Sequence, residues 1–384
     1  MKAMKKALKT AAFITAFALM GGLPLSMNAG SFSAPPMTAY AADDDYTYGS
    51  DSNFNYRKFS DHIEISSAKS TKVSSVEIPS SIEGLPVTSI GMYAFQLSEM
   101  STLTLPDTVT ELGFYTFTDC KNLKSVTLPA NLEKIGIHAF ENCTSLSEIN
   151  FPDHQVKTMD YTFDNTPWLD AKRKEDPLVI VNNAVIDGRT CKGDVTVPSN
   201  VTYVASGAFA KNKDLTSVVF PVGVTEITDN VFWYCDNLKS AELKGAETMG
   251  FGVFAACNKL TDLKISGNLK SIDGYTFTAN TASATITFYG SESKWNSVQK
   301  PSNDQFLQRA RLIFDESHVE PQDVVGDINK DGAFNVSDLV LLQKWLLAVP
   351  DTQLADWKAG DLCEDDILDV YDLVSMRKAL IAKN

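Results

Sequence analysis

The sequence has few histidines, no CxxC cysteine pair and no basic cluster. Its four histidines are scattered, and none lies in a serine-hydrolase elbow, a zinc-protease motif or a phosphate-binding loop. Without CxxC or Cys/His clusters, a zinc site is unsupported. A formal net charge of -14, with no basic block after residue 43, argues against a nucleic-acid partner. No catalytic centre is evident, although carboxylate pairs for glycoside hydrolysis are spaced in three dimensions and escape such a search.

Long apolar runs are also scarce. The single long run, residues 11–25, follows four lysines within the first nine residues and precedes the small-residue sequence Ala39-Tyr40-Ala41. This order is typical of a secretory signal peptide with its cleavage site. The alternative is an uncleaved membrane anchor, but the run is shorter than the ~20 residues that span a bilayer. We therefore predict a signal peptide at 1–41, a secreted, extracellular protein and no membrane span.

What is abundant is a repeat. Eight phenylalanines recur at intervals of 22 or 23 residues, with one doubled interval of 46: Phe95, Phe117, Phe140, Phe163, Phe209, Phe232, Phe254 and Phe277. Each unit reads like the third copy, Ser125-Val126-Thr127-Leu128-Pro129, Leu132, Ile135-Gly136, Ala139-Phe140, Cys143 and Leu146. The alternating stretch predicts a strand with one buried face, ended by proline. Since one such unit cannot bury its own apolar side, the units must stack into a solenoid.

Four of the six cysteines follow the same period, each three residues after a repeat phenylalanine. They are Cys120, Cys143, Cys235 and Cys257, and other copies have Ser98, Thr166, Asn212 and Asn280 there. We interpret this position as a row of small side chains that bond the backbone of the neighbouring repeat. The alternatives are disulfides, which an exported chain with an even cysteine count permits, or metal binding.

The repeat pattern resembles the bacterial leucine-rich repeats of the BspA-like type, over about residues 60–314. The resemblance implies a solenoid with a parallel β ladder, an insertion near 167–198 and a C-terminal cap near 286–314, preceded by a linker at 42–59. The outward strand positions are small and polar, as at Thr102, Thr104, Ser125, Thr127, Glu148, Asn150, Ser217, Asp262 and Lys264. Tyrosines also recur two residues before the phenylalanine, at Tyr93, Tyr115, Tyr161 and Tyr275. We expect these to pack at a repeat corner, the alternative being a second binding face.

After Pro321 the composition changes, and a twelve-residue loop runs from Asp327 to Asp338. Calcium takes six to eight oxygen ligands, which alternate residues of a tight loop can point inward. Gly332 at position 6 permits the turn, and Asp338 stands where the EF-hand pattern has glutamate. The predicted ligands of the first calcium are Asp327, Asn329, Asp331, the carbonyl of Ala333, Asn335 and Asp338.

A second loop begins 34 residues later, at Asp361. Its predicted calcium ligands are Asp361, Asp365, the carbonyl of Ile367, Asp369 and Asp372. Position 3 is Cys363, a soft and poor calcium ligand, and Asp366 replaces the glycine. We therefore expect this second site to bind calcium more weakly.

Each loop is followed by an apolar-periodic helix, predicted at 339–347 and 373–381. Loop then helix, twice, without a helix entering the first loop, resembles a type I dockerin over 326–384, after a linker at 315–325. The resemblance implies a cohesin domain of a scaffolding protein as partner. It assigns the contacts to Val336, Ser337, Gln343, Lys344, Val370, Tyr371, Arg377 and Lys378.

Taken together, the sequence predicts an α+β chain, with a leucine-rich-repeat solenoid and a small all-α calcium-binding dockerin module. The favoured function is a non-catalytic extracellular interaction protein, docked by calcium into a cellulosome-like assembly, whose repeats hold a protein or cell-surface ligand. The alternative is a carbohydrate-active component, either polysaccharide-binding or an O-glycosyl hydrolase. It is suggested only because chains that carry a dockerin are often polysaccharide-degrading enzymes.

Overall fold

The computed structural model describes residues 46–302, 304–317, 325–330, 334–350, 352–363 and 367–383. The predicted signal peptide at 1–41 lies outside the described residues. Within these ranges, no helix combines the length and the apolar character needed to cross a bilayer.

The N-terminal end of the solenoid is an antiparallel meander of three strands, β1 (Thr47–Ser50), β2 (Phe54–Lys58) and β3 (Ile63–Ala68). The linker predicted at 42–59 is therefore wrong from residue 46 onward. Phe54 and Tyr56 alternate with polar residues, so that both rings are buried, and Phe54 packs edge-on against the first repeat phenylalanine, Phe95. These strands shield the apolar end that a stack of repeats leaves open.

Two rows of parallel strands run the length of the solenoid, which confirms the predicted β ladder. The first row carries the Val-Thr-Leu-Pro stretches. Its strands are β4 (Ser75–Glu77), β7 (Thr102–Thr104), β9 (Ser125–Thr127), β11 (Glu148–Asn150), β15 (Gly193–Thr196), β17 (Leu215–Phe220), β19 (Ser240–Leu243), β21 (Asp262–Ser266), β23 (Thr285–Tyr289) and β24 (Arg311–Phe314). Their side chains alternate between the core and solvent, as in β9, where only Val126 is buried.

The second row consists of short strands at the Ile-Gly motifs. Its members are β3, β6 (Leu85–Ile90), β8 (Glu111–Leu112), β10 (Lys134–Ile135), β12 (Lys157–Thr158), β14 (Ala184–Asp187), β16 (Tyr203–Val204), β18 (Glu226–Ile227), β20 (Thr248–Met249) and β22 (Ser271–Ile272). Two further strands, β5 (Ser81–Ile82) and β13 (Val179–Val181), pair antiparallel with β6 and β14. Each coil thus contributes one strand to each row.

The third side of each coil is a corner built around the repeat phenylalanine. The phenylalanines stack in a buried column, with ring centroids 5.2 Å apart from Phe117 to Phe140 and 5.8 Å from Phe140 to Phe163. The backbone N–H of Phe117 donates to the carbonyl of Ala139 in the next coil at 2.8 Å. Neighbouring coils are therefore joined at the corner by backbone hydrogen bonds as well as by packing.

The predicted row of small side chains is confirmed. The thiols of Cys120, Cys143, Cys235 and Cys257 each donate to the carbonyl of the phenylalanine one coil earlier, at 3.0 to 3.1 Å. All six cysteines are free thiols, and Cys363 alone is exposed. In the described structure the solenoid is therefore held by stacking and backbone bonding without disulfides.

The doubled interval holds an insertion that opens with a helix, α1 (Pro167–Glu175). The insertion predicted near 167–198 also contains the antiparallel hairpin of β13 and β14, and its helix was not predicted. Thr166 caps α1 by accepting from the backbone N–H of Leu169 at 3.2 Å, and proline occupies the first helical position. The two apolar residues that follow, Trp168 and Leu169, are buried against the solenoid core.

The C-terminal end is closed by two short helices, α2 (Glu292–Ser297) and α3 (Gln305–Arg309), which bury Trp295 and Phe306. Phe306 extends the phenylalanine column, stacking on Phe277 at 4.5 Å. The segment predicted as a cap, 286–314, contains these two helices, and β23 and β24 at its ends continue the first strand row in parallel register.

The C-terminal segment folds around a separate small core. Its helices are α4 (Val336–Leu346), α5 (Trp357–Gly360) and α6 (Val370–Lys383). The buried side chains are Ile328, Phe334, Leu342, Leu368 and Met376, and none of them belongs to the solenoid core. The two helices predicted after the loops are therefore present, each beginning three residues earlier than the sequence pattern indicated.

Candidate calcium loops and binding surfaces

The first candidate calcium loop is organised around Asp338. Its carboxylate is fully buried and accepts two backbone N–H groups, from Asn329 at 3.2 Å and from Asn335 at 2.9 Å. Asn335 in turn caps α4 by accepting from the N–H of Ser337 at 2.8 Å. Loop positions 3, 9 and 12 are thereby held together, and Asp327 at position 1 is also buried, with 3% of its surface exposed. Asp331 and Ala333 lie outside the described residues.

The second loop repeats this frame residue for residue. The buried carboxylate of Asp372 accepts from the N–H of Cys363 at 3.0 Å and from that of Asp369 at 2.9 Å. Burial alone would raise the pKa of Asp372, but these backbone hydrogen bonds outweigh it and lower the pKa. The group is thus held as a carboxylate, the form that a cation needs.

The two loops differ at position 3. The Cys363 side chain is exposed, and its sulfur lies 3.7 Å from the hydroxyl oxygen of Ser375 on α6. Ile367 is exposed, and Asp361 is half-buried at the loop's start, while Asp365 lies outside the described residues. Among the described residues, no group of three or more His, Cys, Asp or Glu side chains is arranged to hold a metal ion.

All eight residues that the dockerin resemblance assigns to partner contact are exposed on α4, α6 or the last loop positions. The apolar ones among them are largely exposed: Val336 by 66%, Val370 by 56% and Tyr371 by 70%. Gln343, Lys344, Arg377, Lys378 and Ser337 supply the polar and charged part of the surface.

Four exposed apolar residues extend this surface and were missed in the sequence analysis. Val340 and Leu347 continue the face of α4 that begins at Val336, because positions i, i+4 and i+11 of a helix lie on one side. Val374 and Ile381 stand 34 residues later and repeat the pattern on α6. The 34-residue duplication, applied beyond the loops, is the signal that would have found them.

The solenoid carries a partly exposed stack of rings along one corner, which we call the tyrosine stack: Tyr93, Tyr115, His138 and Tyr161. Successive ring centroids are 4.9, 4.9 and 5.2 Å apart. Each residue has φ between 55° and 59°, because the corner turns through the left-handed region at this position. The expected corner packing is thus observed for these tyrosines. His138 was not anticipated, and Tyr275 packs against Phe251 instead.

Arg189, from the insertion, ends the tyrosine stack. Its guanidinium lies 4.9 Å from the ring centroid of Tyr161 and forms ion pairs with Asp164 and Asp187. Burial would lower the pKa of Arg189, but the two carboxylates outweigh it and raise the pKa. Arg173 of α1 bonds Asp187 from the other side at 2.9 Å. The insertion is thereby fixed to the solenoid by charge as well as by apolar packing.

The outward side chains of the first strand row are small, polar and at least partly exposed, as predicted. Thr102, Thr104, Ser125, Thr127, Glu148 and Asn150 are exposed, and Ser217, Asp262 and Lys264 are half-buried. Such a long, even surface is what stacked repeats offer to a binding partner.

Comparison with known proteins supports this description of the solenoid. A model of the BspA type leucine rich repeat region matches six copies, over residues 45–170 and 189–299. No curated protein matches the chain. Among solved structures, a leucine-rich repeat protein of T. pallidum is 27% identical, with 56% of this chain and 91% of that chain covered and a TM-score of 0.32.

Two further solved structures are similar. A leucine-rich cell surface protein of Faecalibacterium prausnitzii is 19% identical, covering 68% of this chain and 100% of that chain with a TM-score of 0.31. A leucine-rich repeat protein of Bacteroides capillosus is 29% identical, covering 32% of this chain and 94% of that chain with a TM-score of 0.29. Because the family model matches most of the chain and its repeats coincide with the observed coils, the chain belongs to the BspA-type leucine-rich-repeat family.

Proposed function

We propose that the chain is a non-catalytic extracellular interaction protein whose C-terminal segment docks in a calcium-dependent way, while the leucine-rich repeats hold a second partner. The observation that carries the docking proposal is the duplicated loop frame. In both loops, a buried aspartate at position 12 accepts the backbone N–H groups of positions 3 and 9. In a loop of this kind, calcium takes its ligands from the oxygens of alternate residues.

The residues present fit calcium better in the first loop than in the second. The first offers carboxylate and amide oxygens from Asp327, Asn329, Asp331, Asn335 and Asp338, together with the carbonyl of Ala333. The second has a thiol at position 3, which is a soft ligand on an exposed side chain. Calcium would neutralise loop carboxylates that otherwise repel one another, and so stabilise the packing of α4 against α6.

The partner that we propose for this module is a cohesin domain. Support comes from the dockerin-like order of loops and helices and from the exposure of the predicted contact residues. The exposed apolar side chains Val336, Val340 and Leu347, repeated as Val370, Val374 and Ile381, give two similar faces to bind with. Exposed apolar residues rimmed by Lys and Arg are typical of a protein-binding surface.

For the repeats, we propose a protein or cell-surface ligand outside the cell. Leucine-rich repeats serve protein interaction and surface binding, and the predicted signal peptide would deliver the chain to that location. A sugar-binding platform would usually show rows of exposed aromatic rings. The outward side chains of the described first-row strands form no such row.

The test is binding of the mature chain to immobilised cohesins with calcium or with a chelator. The variant Val336→Asp/Val370→Asp should lose binding, whereas Leu97→Asp, at a solenoid residue exposed by 61%, should retain it. Binding that ignores the chelator, or no binding to any cohesin, contradicts the docking proposal. Retention on cellulose or xylan, or release of reducing sugar, would favour the carbohydrate-active alternative.

A further inference from the structure

A small, partly open cavity lies in the solenoid at the doubled interval, between the coil of Phe163 and the coil of Phe209. Its volume, mapped for the centre of a water-sized sphere, is about 10 Å³. That is close to the room needed by one water molecule, provided that polar partners surround it. Thr158, Tyr161, Phe163, Asp187, Arg189 and Ser206 are among the residues that line it.

Thr158 is an exception in its row. The residue five positions before the phenylalanine is apolar in the seven other copies: Ile90, Leu112, Ile135, Val204, Ile227, Met249 and Ile272. Thr158 is 1% exposed, yet its hydroxyl has no hydrogen-bond partner in the described structure. A buried hydroxyl without a partner destabilises the fold, because the desolvation of the group is not offset by a bond. A hydroxyl thus replaces the usual apolar group at a residue that lines the cavity.

The phenol of Tyr161 also lacks a hydrogen-bond partner within the described ranges. Its oxygen is buried and has no partner among the described residues, although its ring is held between His138 and Arg189. Tyr161 is also among the residues that line the cavity.

Two backbone N–H groups of the same coil also lack an acceptor in the described structure. In the preceding coil, the N–H groups of His138 and Phe140 donate to the next coil at 3.0 and 2.8 Å. The corresponding N–H groups of Tyr161 and Phe163 have no acceptor in the described part of the chain.

We propose that one water molecule is bound in this cavity as a constant part of the fold, bridging Thr158, Tyr161 and the free backbone N–H groups of the Phe163 corner. Water fits because it accepts from N–H groups and exchanges hydrogen bonds of either sense with two hydroxyls. It takes the place of the carbonyls that accept the corresponding N–H groups elsewhere in the solenoid, and so satisfies the buried polar groups at this coil.

A charged ligand fits less well. An anion would meet the carboxylate of Asp187, which is 1% exposed, and a cation would meet N–H donors and the guanidinium of Arg189. The ion pairs of Arg189 with Asp164 and Asp187 already balance the local charge. A neutral ligand with both donor and acceptor capacity is therefore selected.

The direct test is a crystal structure of the mature chain at a resolution that shows ordered water, with a second crystal soaked in bromide. We expect one density peak within hydrogen-bonding distance of the Thr158 hydroxyl and of a corner N–H group, and no anomalous signal. An empty cavity, or an anomalous bromide peak there, overturns the proposal.

A stability measurement tests it independently through its sign. In a dry cavity, Thr158→Val would remove an unsatisfied hydroxyl and raise the melting midpoint. With water bound, it removes one of the water's partners and lowers the midpoint. Thr116→Val, which deletes a buried hydroxyl that donates to Gly113 at 2.6 Å, calibrates the loss of one satisfied bond. A drop similar to that of Thr116→Val supports bound water, and an unchanged or raised midpoint contradicts it.

Discussion

At the scale of the residue, the buried thiols of the solenoid show how one position serves both packing and bonding. Each of the four thiols in the row lies in the core and donates to a carbonyl of the preceding coil. Burial raises the pKa of Cys235 to about 12 and, next to α1, that of Cys191 to about 11. Such groups stay protonated and unreactive at physiological pH.

We therefore predict that a thiol reagent at pH 8 modifies one cysteine rapidly in the native protein, Cys363, and all six after denaturation. Peptide mapping after brief labelling identifies the site. Rapid labelling of two or more thiols in the folded protein would mean that the row is not buried as described.

Asp160 is a buried carboxyl group whose charged form is destabilised by its burial. Burial raises its pKa, and the hydrogen bonds from Ser206 and Asn230 only partly offset this shift. A carboxyl group with a raised native pKa stabilises the fold below its unfolded pKa of about 3.9, and that contribution is lost as pH rises through the native value.

Asp160→Asn should therefore gain stability relative to the wild type at pH 7, and the gain should shrink as pH falls to 5 and below. Melting midpoints of both proteins across this range measure the difference. A gain that stays constant with pH would show that the carboxyl group does not titrate as the geometry implies.

At the level of the element, the glycine that follows several of the short strands, as at Gly91, Gly113 and Gly136, sets how closely those coils stack. A Cβ atom on Gly136 would lie 2.7 Å from the carbonyl carbon of Gly113, and one on Gly113 would lie 2.9 Å from that of Gly91. Contacts this short are not seen between real Cβ atoms and backbone, so the coils would have to move apart. The recurring Ile-Gly motif is thus a consequence of the spacing between coils.

Gly136→Ala should lower the free energy of unfolding by about 1–3 kcal/mol, as overpacking commonly does. Gly274→Ala is the matched control, because nothing lies within 4 Å of its added Cβ. Chemical denaturation of the two variants gives the comparison, and equal stability would contradict the close approach of the coils.

The elements of the solenoid could be predicted because its rule is local. Strands, corner phenylalanines and the cysteine row all follow from a period of 22 or 23 residues. The helix α1 could not, since Trp168 and Leu169 read equally well as a strand or loop until the core shows where they are buried. Likewise, the sequence of β1 and β2 resembles a linker. Only the structure shows that Phe54 of β2 packs against Phe95.

At the level of the whole molecule, the described residues form two separate apolar cores. The solenoid core runs from Phe54 to Phe306, and a small core around Leu342 and Met376 holds the C-terminal helices. The loop positions of the candidate calcium sites could be read from sequence, because ligand spacing within a loop is local. The added binding residues on α4 and α6 could not, since exposure depends on how the helices pack.

Heating should therefore produce two unfolding transitions, of which calcium raises only one. Binding that is specific to the folded module adds about 2.7 kcal/mol at a hundredfold excess over Kd for each site. Scanning calorimetry with calcium and with a chelator measures this shift. A calcium-induced shift of the larger, solenoid transition would contradict the assignment of the sites to the C-terminal loops.

Isothermal titration of calcium into the mature chain shows whether the C-terminal loops bind calcium. We expect two ions per chain, the weaker at the second loop, with the tighter site lost in Asp327→Ala and the weaker in Asp361→Ala. Asp153→Asn, at an exposed acid of the solenoid, should change neither. If the wild type binds no calcium, or if binding survives both loop substitutions, the loops are not calcium sites.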